Sequence, residues 1–216
     1  MKNIAFNKYI DGINTIIKDA RTRHDLVSIT LHRAIERHES VQKSGASPAK
    51  MAVAAAQVRE AKEQYWADVK DILSDTDEKF SELRKELSET ATRYFSADPE
   101  SVDHDAVALL NSGVMSETDL AVLAKKFWGN ATMLKLISGK AQDLNTRTAA
   151  VLCDKIGNYM SVKNRLSVFG DAVSIAKRTI QADENMAGVF QSEWDGHFYE
   201  SLRNNMGEFD NFPLEV

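Results

Sequence analysis

Cysteine and proline are scarce in this chain: one Cys, Cys153, and three Pro among 216 residues, with ten Gly. A single cysteine excludes an intramolecular disulfide, and CxxC-type metal or redox motifs are absent. Few breakers leave long stretches uninterrupted, which favours helix. No run approaches the ~18 apolar residues that a membrane span needs. The start, Met1-Lys2-Asn3-Ile4-Ala5-Phe6, lacks a continuous apolar segment with a small-residue cleavage site, so no signal peptide is expected. These absences point to a reducing, cytosolic place of synthesis. Gly-rich phosphate loops, GxSxG and Walker-like patterns are also missing.

Basic clustering is weak as well. The net charge is −5. Residues 1–47 hold eight Lys/Arg against five Asp/Glu, and residues 48–98 hold eight against eleven. After Ala182 only Arg203 is basic, against eight acids. An acidic chain without a basic stripe is a poor duplex binder. The plain reading of the asymmetry is solvated helix faces. The sharper one is that the basic first helix of one copy meets the acidic end of another copy or of a partner.

The residues that could carry chemistry do not converge in sequence. No two of His24, His32, His38, His104 and His197 stand at the i, i+4 spacing of a helical zinc site. Asp103-His104-Asp105 are neighbours that point in different directions on a helix, and acids there favour the helix dipole. Cys153 lies among Ala149, Ala150, Val151 and Leu152, as a small buried hydrophobe would. The carboxylates of 68–89 alternate with Lys and Arg in helix-pair fashion. The expectation is a protein that is not an enzyme and holds no cofactor or metal.

What is present is amphipathic helix. Residues 4–38 read as one helix with Ile10, Ile13, Ile17, Ala20, Val27, Leu31 and Ala34 on one face, followed by a turn over 40–47. Ser47-Pro48 reads as an N-cap followed by Pro at the first helical position. Residues 48–95 contain no Gly and no Pro after Pro48. Tyr65, Val69, Ile72, Thr76, Phe80, Leu83, Leu87, Ala91 and Tyr94 share a stripe in which pairs recur eleven apart, a period of ~3.67 residues per turn. At 1.5 Å per residue this helix reaches roughly 70 Å. It cannot bury its stripe alone, and the first helix is its natural antiparallel partner. That helix is shorter, so the distal part of the second needs either the C-terminal region or another copy.

Asp98-Pro99 marks the next boundary. Residues 99–140 read as three short helices. Asp98 or Ser101 opens the first and Gly113 closes it; a capping-box-like Ser116-Glu117-Thr118-Asp119 opens the second, which Gly129 ends. Asn130 caps the third, and Gly139 interrupts or bends it. Residues 141–182 read as one or two helices and 184–206 as one or two more. The reading is all-α: a long antiparallel αα-hairpin, coiled-coil-like, over 1–97, a compact bundle of short helices over 98–206, and an acidic extended tail over 207–216. Trp66, Trp128 and Trp194 suit core packing or interface anchoring. Phe212-Pro213-Leu214 suits an arm exchanged with a neighbour.

The stretch Asp105-Ala106-Val107-Ala108-Leu109-Leu110-Asn111-Ser112-Gly113-Val114-Met115-Ser116, with Asn130-Ala131-Thr132-Met133-Leu134-Lys135-Leu136-Ile137, resembles uncharacterised helical proteins from the structural gene modules of tailed bacteriophages. The resemblance implies a role in the virion or its assembly, as a scaffold, internal head protein or decoration. Many scaffolds of that kind end in a basic coat-binding segment, whereas this sequence ends acidic. The expected partners are further copies of the chain and phage capsid proteins, with no specific nucleic acid and no membrane. Synthesis is expected in the bacterial cytoplasm, with the virion as a further destination. The candidate interface comprises Tyr65, Val69, Ile72, Phe80, Leu83, Leu87, Tyr94, Trp128, Phe212 and Leu214. The alternative is a helical adaptor or regulatory protein that binds a bacterial partner through 99–140 or the tail.

Overall fold

The computed structural model describes residues 5–181 and 194–208. Among them the chain forms α1 (Lys8–Lys43), α2 (Pro48–Tyr94), a 3-10 turn (Pro99–Ser101), α3 (His104–Asn111), α4 (Glu117–Lys126), α5 (Ala131–Leu144), α6 (Arg147–Tyr159), α7 (Val162–Gln181), a π turn (Trp194–Phe198) and α8 (Tyr199–Glu208). No strand occurs among the described residues. The two long helices pack as a hairpin and a helical bundle follows.

The hairpin is antiparallel because partner numbers fall along α2 as they rise along α1. Lys8 meets Glu86 at 3.2 Å, Asp19 meets Lys79 at 3.0 Å, Arg23 bonds Asp75, and His24 lies 2.9 Å from the Tyr65 hydroxyl. α1 runs five residues past the expected end at 38, since Ser40-Val41-Gln42-Lys43 carries no breaker. The turn begins at Ser44 and rests on Gly45, whose φ of 63° is strained for a side-chain-bearing residue. α2 then starts at Pro48, and the Ser47 carbonyl accepts the Met51 N–H at 3.1 Å.

By internal contacts the chain forms two compact units: Met1–Asp11, Leu83–Ala172 and Asp195–Val216, and Gly12–Glu82 with Val173–Trp194. The division runs across α1, α2 and α7 and does not follow the Asp98-Pro99 boundary. In the first unit the core joins Phe6, Tyr9, Leu87, Ala91 and Phe95 with Leu134, Ile137, Leu152, Ile156 and Phe169, all buried. Arg165 is fully buried here, its guanidinium 4.6 Å from the Phe6 ring centre and 4.8 Å from that of Phe95. Its Nη1 donates to the Tyr159 carbonyl. The rings face the cation and the carbonyl takes a proton donor, which offsets part of its desolvation.

Helix ends in this unit follow local chemistry. Asp98 caps the 3-10 turn and Asp103 caps α3 by accepting the Ala106 N–H at 2.9 Å. Asp103 therefore takes the opening role that the sequence assigned to Asp98 or Ser101. Ser116 and Asp119 form the capping box of α4, and Asn130 caps α5. Gly113 and Gly129 follow α3 and α4 with positive φ. Gly139 neither interrupts nor ends α5, which runs through it to Leu144. The break falls at Asn145, with φ of 45°, and Thr146 then caps α6.

In the second unit Ile13, Ile17, Ala20, Ile72, Phe80, Ala176 and Ile180 are buried together with Trp194. Trp194 donates its indole N–H to Asn14 Oδ1 at 3.0 Å, and Lys177 pairs with Asp77 at 2.8 Å. Buried Thr76 donates to the Ile72 carbonyl at 2.7 Å, so its hydroxyl is satisfied within the helix. α7 thus joins α1 and α2 around the inner part of the seam.

Candidate protein-interaction surface

Burial along α2 follows the eleven-residue stripe, but unevenly. Ile72, Thr76, Phe80, Leu87 and Ala91 are at most 4% exposed. From Val58 to Val69 the stripe positions are only half-buried, and before Ile72 the one buried residue of α2 is Ala54. α1 shows the same break. Ile10, Ile13, Ile17 and Ala20 are buried, whereas Val27, Leu31 and Ala34 are half-buried. The cause is coverage: two helices in contact leave both flanks of their seam open, and among the described residues a third element closes it only beside Ile72 and beyond.

The distal part of α2 was expected to need either the C-terminal region or another copy, and later helices of the chain meet it, with the Tyr159 ring centre 5.4 Å from that of Phe95. Ile72, Phe80 and Leu87 lie inside the chain's own packing. Leu83 and Tyr94 are half-buried. Tyr94 donates to the Gly129 carbonyl at 3.4 Å and lies 3.3 Å from the Tyr159 hydroxyl. Trp128 is half-buried, its ring centre 4.1 Å from that of Tyr159. Tyr65 and Val69 sit half-buried on the open part of the seam. Phe212 and Leu214 lie outside the described residues. Of the eight candidates among the described residues, three are buried and five half-buried.

The open face is the hairpin's turn-proximal half. Leu26 is 63% exposed, Val53 60% and Trp66 66%. A groove of about 360 Å³ runs between the helices, lined by Thr30, Arg33, Ala34 and Arg37 of α1 and by Gln57 and Ala61 of α2. Ala34 and Ala61 are half-buried and make its floor, while Arg33 and Arg37 are exposed. Leu26 stands one turn before Thr30, and Val53 one turn before Gln57, so each extends a face that borders the groove. Neither arginine has an ion-pair partner among the described residues. Residues 21–62 carry eight Lys/Arg against four Asp/Glu, in a chain whose net charge is −5.

Towards Ile72 the charges are paired. Lys79 bridges Asp19 and Asp75, each at 3.0 Å, and Arg23 also bonds Asp75. The hydrogen bonds from Lys79 and Arg23 hold the Asp75 carboxyl below its usual range, and those to Asp19 and Asp75 raise Lys79. Hence the cations of the inner hairpin are engaged and those of the groove are not.

A second concavity of about 720 Å³ is open and polar, lined by residues 100–103 and 126–130. Asp103 and Lys126 face each other across it at 3.9 Å, and its Asn130 side chain donates to the Ser101 carbonyl at 2.7 Å. Its polar groups answer one another. No group of three or more His, Cys, Asp or Glu gathers in metal-binding geometry among the described residues, and no helix there is long and apolar enough to cross a membrane. No family model, curated protein or solved structure matches the chain.

Arg33, Arg37, Leu26 and Val53 were missed by the stripe reading, which followed only the positions facing the seam. The available signal was an apolar residue off the stripe beside two cations one turn apart.

Proposed function

We propose that this chain is a non-enzymatic assembly protein that works through helix–helix contacts. One observation carries the reading: the turn-proximal half of the hairpin leaves its seam half-covered, with Leu26 and Val53 exposed beside it. A half-closed two-helix seam gains free energy when a further element covers it, by about 25 cal/mol per Å² of apolar surface removed from water. The resemblance over 105–137 supplies the setting, a tailed-phage virion or its assembly, with capsid proteins and further copies as partners. Sedimentation velocity over a concentration series tests it, with Leu26→Lys and Val53→Lys introduced together. The expected result is concentration-dependent association, or binding to a phage capsid protein, that the double variant loses. A monomer at every concentration that binds no capsid protein refutes the reading.

A second reading, a helical adaptor for a bacterial protein, is favoured by Val114 and Val122, which are 74% and 65% exposed around α4. It predicts that Val122→Lys abolishes capture of the partner while the hairpin variants do not.

A further inference from the structure

We infer that the groove between α1 and α2 receives the acidic, apolar segment 209–216 of a second copy of this chain. The inference rests on the assembly reading and names the contact that would serve it. The groove offers two unpaired guanidiniums, Arg33 and Arg37, above a floor of Ala34 and Ala61. The small floor residues leave room for inserted side chains. Exposed Leu26 and Val53 offer apolar surface nearby.

The segment Phe209-Asp210-Asn211-Phe212-Pro213-Leu214-Glu215-Val216 has the opposite and complementary character. Asp210 and Glu215 match the arginines, and guanidinium forks bind carboxylates in bidentate fashion. Phe212 and Leu214 supply apolar side chains on either side of Pro213, whose ring fixes one backbone angle and so lowers the ordering cost. Charge also selects among occupants. Two turn-proximal hairpin halves, each with an excess of four basic residues, repel one another, so a face-to-face pairing of these surfaces is disfavoured. An acidic segment removes that repulsion.

The experiment uses the full chain and charge exchange. Arg33→Glu with Arg37→Glu forms one variant, Asp210→Lys with Glu215→Lys a second, and all four substitutions a third. Sedimentation equilibrium and circular dichroism are measured on each. Two exposed pairs turned repulsive weaken association about tenfold or more in each of the first two variants. Equimolar mixing of those two restores association, because the acidic groove of the first takes the basic segment of the second and the arginine groove of the second takes the acidic segment of the first, and the four-substitution chain recovers association to within about threefold of the original. Helix content stays constant, since both arginines are exposed and unpaired. Association of the unaltered chain that is indifferent to Arg33 and Arg37 overturns this inference and leaves the assembly reading standing. A chain that remains monomeric overturns the inference too, and if it also binds no capsid protein the assembly reading falls with it. Loss of association in both variants without recovery in the combined one also overturns the pairing.

Discussion

Leu87→Ala and Leu31→Ala remove the same atoms from the same hairpin, yet the structure requires different costs. Leu87 is fully buried, so its truncation loses the transfer free energy and leaves a cavity, about 2–5 kcal/mol. Leu31 occupies the equivalent seam in α1 but is half-buried. It realises roughly half of the 1.5–3 kcal/mol available to a leucine, and an open flank lets water fill the vacated space, so about 1 kcal/mol is lost. A difference of about 2 kcal/mol corresponds to about 4–8 °C in Tm for a chain of this size. Urea unfolding followed by circular dichroism, in dilute protein, measures both. Amide exchange adds a spatial check: amides of 24–65 should exchange through local opening, and those of 72–91 only through larger unfolding. Equal destabilisation by the two substitutions would refute the uneven seam, because it would require Leu31 to be as enclosed as Leu87.

Two further predictions follow from caps and charges. Ser116→Ala removes the side chain that accepts the Asp119 N–H and should cost about 1 kcal/mol, read as a lower urea midpoint. Asp75 is held below its usual range by Lys79 and Arg23, and Asp119 by the Ser116 hydroxyl and N–H. A lowered folded-state value means stability present above the unfolded value of about 4 and lost as pH falls through the lowered one. Tm should therefore hold from neutral pH down to about 5 and fall below about 4. Asp75→Asn should flatten that acid limb, and an unchanged limb would remove Asp75 from the account.

The sequence carried the helices well because each is punctuated by chemistry that acts locally. Ser116 with Asp119, Asn130, and Ser47-Pro48 all open helices where the residue types said they would. Gly139 misled for a physical reason. Glycine permits a break without imposing one, and the helix continued because Met133, Leu134, Ile137 and Ala141 pack along one face of α5. Asn145 was less conspicuous than glycine, although its side chain tolerates the left-handed turn. The eleven-residue stripe was legible as a periodicity, whereas its coverage was not. Whether Phe80 faces solvent, a second copy or its own chain depends on contacts distant in sequence, which a period cannot encode.

That distinction moves the functional argument along the hairpin. A stripe of constant apolar character left open whether the chain or another copy covers it, and Ile72, Phe80 and Leu87 are buried within the chain. The open part combines small groups on the seam, Ala34 and Ala61, with half-covered Val27, Leu31, Tyr65 and Val69. Large apolar groups alone would have made such a surface adhesive to any exposed hydrophobic patch. Small seam residues beside two unengaged arginines make a weaker surface that discriminates by charge. Fidelity of assembly then comes from the sign and spacing of Arg33 and Arg37, and affinity from how much of Leu26 and Val53 the occupant covers. Replacing both arginines by lysine keeps the sign but removes the planar forks, so it should loosen binding of an acidic occupant while leaving its salt dependence in place.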